Sequence, residues 1–169
     1  TGVYTFQVLT GNDVLLASKN IMVEEFMPDR IKVDLKTDKD DYKPLEKVGA
    51  SFTATNYFGP PAANRNYKVY ISWEKNTFSS KEFERYNFNV SKSAQYYTIV
   101  RNGLTDGNGN GFESFDIPAE YQETGLLEGR ILATVFDETG RPVNRVKTFN
   151  VYTQDVFYGE GTKNALINT

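Results

Sequence analysis

The sequence predicts an all-β chain: an immunoglobulin-like antiparallel β-sandwich of about seven strands. Three observations carry that expectation. Apolar residues recur with period two through most of the chain, as in Ile31, Val33 and Leu35 or in Val48, Ala50, Phe52 and Ala54, the mark of half-buried strands. Gly, Pro, Asn and Asp clusters separate these short runs at the spacing a sandwich of hairpins and arches needs. With 12 Phe and 11 Tyr in 169 residues, the chain has the apolar bulk for a real core, and its charged fraction is that of an ordinary globular domain.

The elements follow in order. Tyr4, Phe6 and Val8 alternate, T-G-N-D at 10–13 reverses the chain, and Val14 to Val23 returns, which predicts a hairpin standing apart from the rest. After V-E-E-F-M-P, sandwich strands are expected around Ile31–Leu35, Val48–Ala54, Tyr67–Trp73, Tyr96–Val100, Phe112–Ile117, Ile131–Val135 and Phe149–Val151. The stretch D-E-T-G-R-P at 137–142 joins the last two as a hairpin. Val33, Phe52, Val69, Ile71, Trp73, Ala133, Val135 and Val151 are the expected core. Residues 74–93 break the rhythm: Phe78, Phe83, Tyr86 and Phe88 stand among polar residues without alternation, around a short helical turn near Lys81–Arg85. Those rings either cap an open end of the sandwich or form a contact surface.

One motif invites a metal. T-D-G-N-G-N-G-F at 105–112 places Asp106, Asn108 and Asn110 at alternate positions before Gly111, like the opening of a calcium loop. Such a loop closes on a bidentate acid at its twelfth position, and here Ile117 stands there. The expectation is a glycine-assisted turn between the fourth and fifth strands, with no metal ligands. The chain has no Cys and no His, which removes nucleophile–imidazole catalysis, thiolate and imidazole zinc sites, and disulfides. Carboxylate-only hydrolysis needs two acids facing one substrate. Glu24 and Glu25 are adjacent in an extended segment and point to opposite faces, so they read as a structural junction pair. No catalytic, cofactor-binding or metal residues are expected, and the chain is not expected to be an enzyme. A net charge of −3 with scattered cations leaves no stripe for a phosphate backbone, and no apolar run approaches the twenty or so residues of a membrane span. The sequon N-V-S at 89–91 reads as incidental. Beginning at Thr1 rather than Met, the chain reads as a piece of something longer.

In their order and spacing, several stretches resemble the alpha-2-macroglobulin family, its bacterial branch above all. G-V-Y-T-F-Q-V at 2–8 with I-M-V-E-E-F-M-P-D-R-I-K-V at 21–33 resembles a junction between two macroglobulin-like domains. Y-K-P-L-E-K-V at 42–48, N-Y-F-G-P-P-A-A at 56–63, F-E-R-Y-N-F at 83–88, L-T-D-G-N-G-N-G-F at 104–112 and T-G-R-P-V at 139–143 are similar to family turns, loops and an aromatic insert. Pro28 and Pro44 fix φ where the chain enters and turns, Gly59 before Pro60 and Pro61 stiffens a loop, and Tyr42 is expected to pack beneath that loop.

The resemblance implies the terminal strands of one macroglobulin-like domain at 1–24, a complete domain at 25–153, and a linker or the start of a third at 154–169. It implies a non-catalytic structural module of a protease inhibitor that is cleaved in a bait segment and encloses its attacker. The neighbouring domains of the parent chain would be its partners, and proteases the parent's targets. A thioester, which the family builds from Cys and Gln, would lie elsewhere. An adhesin or carbohydrate-binding module is the alternative, with Phe78, Phe83, Tyr86 and Phe88 as the rings available for stacking. The absence of cysteine fits a bacterial periplasmic, envelope-associated or secreted protein.

Overall fold

The structure, a computed structural model, describes residues 2–23, 29–88, 90 and 92–161. Within them run β1 (Gly2–Leu9), β2 (Leu15–Val23), β3 (Ile31–Thr37), β4 (Asp41–Tyr42), β5 (Lys47–Asn56), β6 (Asn66–Asn76), β7 (Ile99–Leu104), β8 (Asn110–Asp116), β9 (Leu126–Phe136) and β10 (Pro142–Tyr152). Helical structure among the described residues is limited to two single 3₁₀ turns, Lys81–Phe83 and Ala119–Tyr121. β1 and β2 pair only with each other, while the rest form a five-stranded sheet β4-β10-β9-β6-β7 over a three-stranded sheet β3-β5-β8. All pairings are antiparallel except β4 with β10.

The expected sandwich is therefore present, with eight strands in place of seven. The additional one, β4, contributes two residues and carries no readable period. The fourth expected strand, Tyr96–Val100, is displaced to Ile99–Leu104. Pairing with β6 begins at Ile71↔Ile99, because Tyr96 and Tyr97 are drawn to the ring of Tyr121 at 5.2 and 6.1 Å. The core consists of the alternate residues that face the gap between the sheets. All eight expected core residues are at most 5% exposed, each such burial stabilising by about 1.5–3 kcal/mol for a large aliphatic or aromatic side chain. Tyr42 corrects an expectation: it lies beside β10, edge-on to Phe149 at 5.0 Å, and not beneath the Gly59 loop. Its hydroxyl donates to Asp38 Oδ1 at 2.6 Å, and the same oxygen accepts the Gly49 N–H at 2.7 Å.

Three strand glycines are covered by an aromatic ring from the residue directly across the ladder. Phe149 is paired with Gly129, Phe52 with Gly111, and Tyr67 with Gly103. A Cβ added to these glycines would lie 2.2, 2.1 and 2.3 Å from the facing ring or its hydroxyl. The missing side chain is what lets each ring lie flat along the sheet, a known way to stabilise strand glycines. Tyr67 also donates to Glu113 at 2.8 Å, and burial, then this bond, push its phenol up to about 12.

Two turns share one design. Asp106 N–H donates to Asn110 O, Gly109 N–H to Asp106 O, and Asp106 Oδ1 accepts the N–H groups of Asn108 and Asn110. Asp137 repeats the pattern with Arg141, Gly140 and Thr139, and also accepts the Thr139 hydroxyl at 2.7 Å. In both, the glycine sits at positive φ, 76° and 82°. The first turn arches between the two sheets and the second closes the β9–β10 hairpin.

Burial of Asp137 acts to raise its pKa, but the bonds from Thr139 and Arg141 outweigh it and hold the carboxyl below its ordinary value. A carboxyl depressed on folding contributes stability above its unfolded value, near pH 4, and loses it as pH falls through the folded value. Asp137→Asn is accordingly expected to cost about 1–2 kcal/mol at pH 7 and to flatten the acid limb of stability. Urea unfolding at pH 7 and pH 3 checks this: an equal loss for both proteins on acidification would remove Asp137 from the account.

Candidate interaction surfaces

The β1–β2 hairpin has neither face covered among the described residues, and Val3 and Met22 at one end of its more polar face are as exposed as the rings of the other. Opposite residues share a face, so Tyr4↔Ile21, Phe6↔Lys19, Val8↔Ala17 and Gly2↔Val23 build one side. Thr5↔Asn20 and Gln7↔Ser18 build the middle of the other, where the Thr5 hydroxyl donates to Asn20 at 2.8 Å. On the apolar side Tyr4, Phe6 and Val8 are 56–62% exposed. A two-stranded hairpin alone is marginal in water, and an apolar face of this kind is what a sheet buries against a second sheet.

The aromatic insert has an occupant: the chain's own tail. Phe78 stacks on Phe157 at 4.2 Å with the planes 11° apart, and meets Phe88 edge-on at 5.2 Å. Asn87 and Glu160 exchange both backbone hydrogen bonds at 2.8 Å, and a Cβ on Gly159 or Gly161 would run into Phe88 or Tyr86. Of the four rings picked out by composition, Phe83 and Tyr86 remain about half exposed and face each other edge-on at 5.9 Å. No row of parallel, open ring faces results.

Asp106, Asn108 and Asn110 stand together in the 105–112 turn, but Asp106 Oδ1 already accepts two backbone N–H groups and Asn110 Oδ1 the Thr53 hydroxyl at 2.9 Å. Ile117 is buried at 2% exposure and its N–H donates to Glu46 O. Glu24, Glu25 and Pro28, and the sequon residues Asn89 and Ser91, lie outside the described residues.

A third surface was not singled out by charge or period. Tyr57 and Phe58 project from the loop after β5, 64% and 96% exposed, beside a groove of about 600 Å³ that Arg30, Pro60 and Glu138 also line. Arg30 bonds Glu138 at 3.0 Å and Arg65 approaches it at 3.5 Å. The backbone N–H of Glu138 itself and then Arg30 hold that carboxyl below its ordinary value.

Residues 29–152 match the profile of the bacterial alpha-2-macroglobulin MG5 domain. An alpha-2-macroglobulin of Rickettsia conorii is 25% identical over 159 residues, covering 89% of this chain and 8% of that protein. The native conformation of Escherichia coli alpha-2-macroglobulin superposes with a TM-score of 0.69 at 20% identity, over 94% of this chain and 10% of its own. The trypsin-activated form of the Escherichia coli protein does so with a TM-score of 0.64 at 20% identity, over 92% and 11%. At these identities the structural likeness speaks for the fold. The chain spans about a tenth or less of the relatives it matches.

Proposed function

The chain belongs to the bacterial alpha-2-macroglobulin family, in the part that forms the MG5 domain, and from that premise we propose that it is a non-catalytic link in the scaffold of a protease trap. The single observation that carries this reading is the uncovered apolar face of the hairpin, Tyr4, Phe6, Val8 and Ile21. That face makes the segment a donor of strands to a neighbour. Residues 1–24 are then the last strands of a preceding sandwich, 25–153 the complete domain, and 154–169 a linker or the start of the next, whose first part the insert holds in place.

The absence of Cys and His supports a segment without a covalent-capture or hydrolytic role of its own. Trapping, the choice of protease, and any bait or thioester element are properties of the parent. Among the described residues, no helix is long and apolar enough to cross a membrane, and a periplasmic or envelope location is the one this reading favours. The carbohydrate-binding alternative loses support because one face of Phe78 is taken by Phe157.

The test is to incubate the 169-residue chain in excess with serine, cysteine and metalloproteases, following activity on a large protein substrate. No inhibition is expected; stoichiometric inhibition by the intact or covalently attached chain would make it an active module. The Asp106 turn is likewise proposed to serve the fold alone, and calorimetry with calcium should show no binding in the micromolar range that sensor loops reach. A micromolar site would reverse that assignment.

A further inference from the structure

We infer that the Tyr57–Phe58 loop and its groove are the seat on which the preceding sandwich rests, an inference that builds on reading the hairpin as that sandwich's terminal strands. The loop is held by hydrogen bonds of its own. Asn56 N–H and side-chain amide both donate to Pro60 O at 3.0 Å, the amide reaches Pro61 O at 3.3 Å, and Gly59 N–H donates to Asn56 O. Gly59 takes φ 147°, which leaves Pro60 and Pro61 to stiffen the return. Yet Phe58 is 96% exposed and touches chiefly Tyr57, edge-on at 5.8 Å. Folding of this domain gains almost nothing from that ring. A preordered loop that presents two aromatic rings at little entropic cost has the character of an interface anchor.

The position of the loop names the occupant. Tyr57 N–H donates to Arg30 O at 3.0 Å, so the rings flank the point where the chain enters β3. From Val23, the last residue of the hairpin, to Asp29 the backbone can span at most about 22 Å. That is less than the width of one sandwich domain. The sandwich built on the hairpin is therefore tethered close to the end of this one where Arg30, Tyr57 and Phe58 are displayed. Around the apolar rings, the half-exposed Arg30 and Glu138 supply the polar rim such contacts have. The surface fits a β-sandwich offering an apolar pocket for Phe58 within a ring of hydrogen-bonding groups.

The experiment uses the full-length parent chain with a photoreactive benzophenone amino acid in place of Phe58, a position exposed enough to accept it without disturbing the fold. In a second preparation the same probe replaces Phe6. After irradiation, cross-linked peptides are mapped by mass spectrometry. The expected result is that both probes join to the sandwich immediately preceding residue 1. If Phe6 cross-links there and Phe58 joins to a later domain, to a second molecule or to nothing, the seat is wrong while the hairpin reading stands. If Phe6 also fails to reach that sandwich, the hairpin reading falls and the seat with it. A glycan cross-linked at Phe58 in place of protein would overturn the inference in favour of a sugar site.

Discussion

Gly129→Val is expected to destabilise the sandwich by about 3 kcal/mol or more, a large share of the 5–15 kcal/mol that holds an ordinary domain together. Gly129 lies between two partners at once, paired with Phe149 on β10 and with Trp73 on β6. The Phe149 ring covers the place where a Cβ would stand, with three ring carbons at 2.2–2.9 Å from it. That ring has no room to move away, because Tyr42 and Trp73 meet it edge-on at 5.0 and 5.7 Å and it is 3% exposed. A side chain at 129 must push the ring off its rotamer or part the strands. Gly129→Ala should be damaging in the same direction, while Gly107→Ala, where a Cβ meets nothing within 4 Å, should stay within about 0.5 kcal/mol of the parent. Urea unfolding of the three variants separates the cause. If Gly129→Val matched Gly107→Ala, the ring would have a freedom inconsistent with this packing.

The second large effect is expected at Tyr121, where truncation to alanine should cost about 3–5 kcal/mol, the range for a buried large aromatic. Tyr121 is completely buried although it sits in a connection, on the 3₁₀ turn between β8 and β9. Its ring meets Trp73 at 5.8 Å and Tyr96 at 5.2 Å, and so ties the segment leading into β7 to the core. The carbonyl of Tyr121 accepts the Thr124 hydroxyl at 2.7 Å, which fixes the turn that carries it. Among the described residues its own hydroxyl accepts a long bond from Tyr97 N–H at 3.4 Å. Tyr121→Phe should therefore lose at most about 1 kcal/mol. Equal losses for the two variants would shift the weight from the ring to the hydroxyl.

The sheets were legible because burial on one face imposes a period on the sequence. Val48, Ala50, Phe52 and Ala54 alternate in the chain and are all buried. Tyr121 was not legible, since a single aromatic residue in a connection has no period to betray it. The same holds for β4, whose two residues are fixed by β10 from the far end of the domain. The glycine–ring pairs depend on register: nothing near Gly103 in sequence signals Tyr67, and only the ladder brings them opposite. The displacement of β7 by three residues has the same origin, for an apolar Tyr96 satisfies a strand pattern and an aromatic cluster equally well. Asp106 was readable as a turn residue from its glycines, and the Asp-x-x-Gly spacing it shares with Asp137 was the signal that both turns are one device. Tyr57 and Phe58 were legible as part of the loop at 56–63 but not as exposed rings. Aromatic residues suggest interior, and only the structure puts these rings in solvent.

The position of β10 carries a consequence for how the protein is made. β10 lies between β9 and β4, and Asn150 reaches Asp41 with its side-chain amide at 3.0 Å across 109 positions of sequence. On a ribosome adding about 5–20 residues per second, β4 is therefore synthesised roughly 5–20 s before the strand it must join. Until β10 is available, β4 has no partner and β9 keeps an open edge. Completion of the larger sheet therefore waits on the C-terminal end of the domain, and a chain cut short before Phe149 lacks the strand that joins β4 to β9.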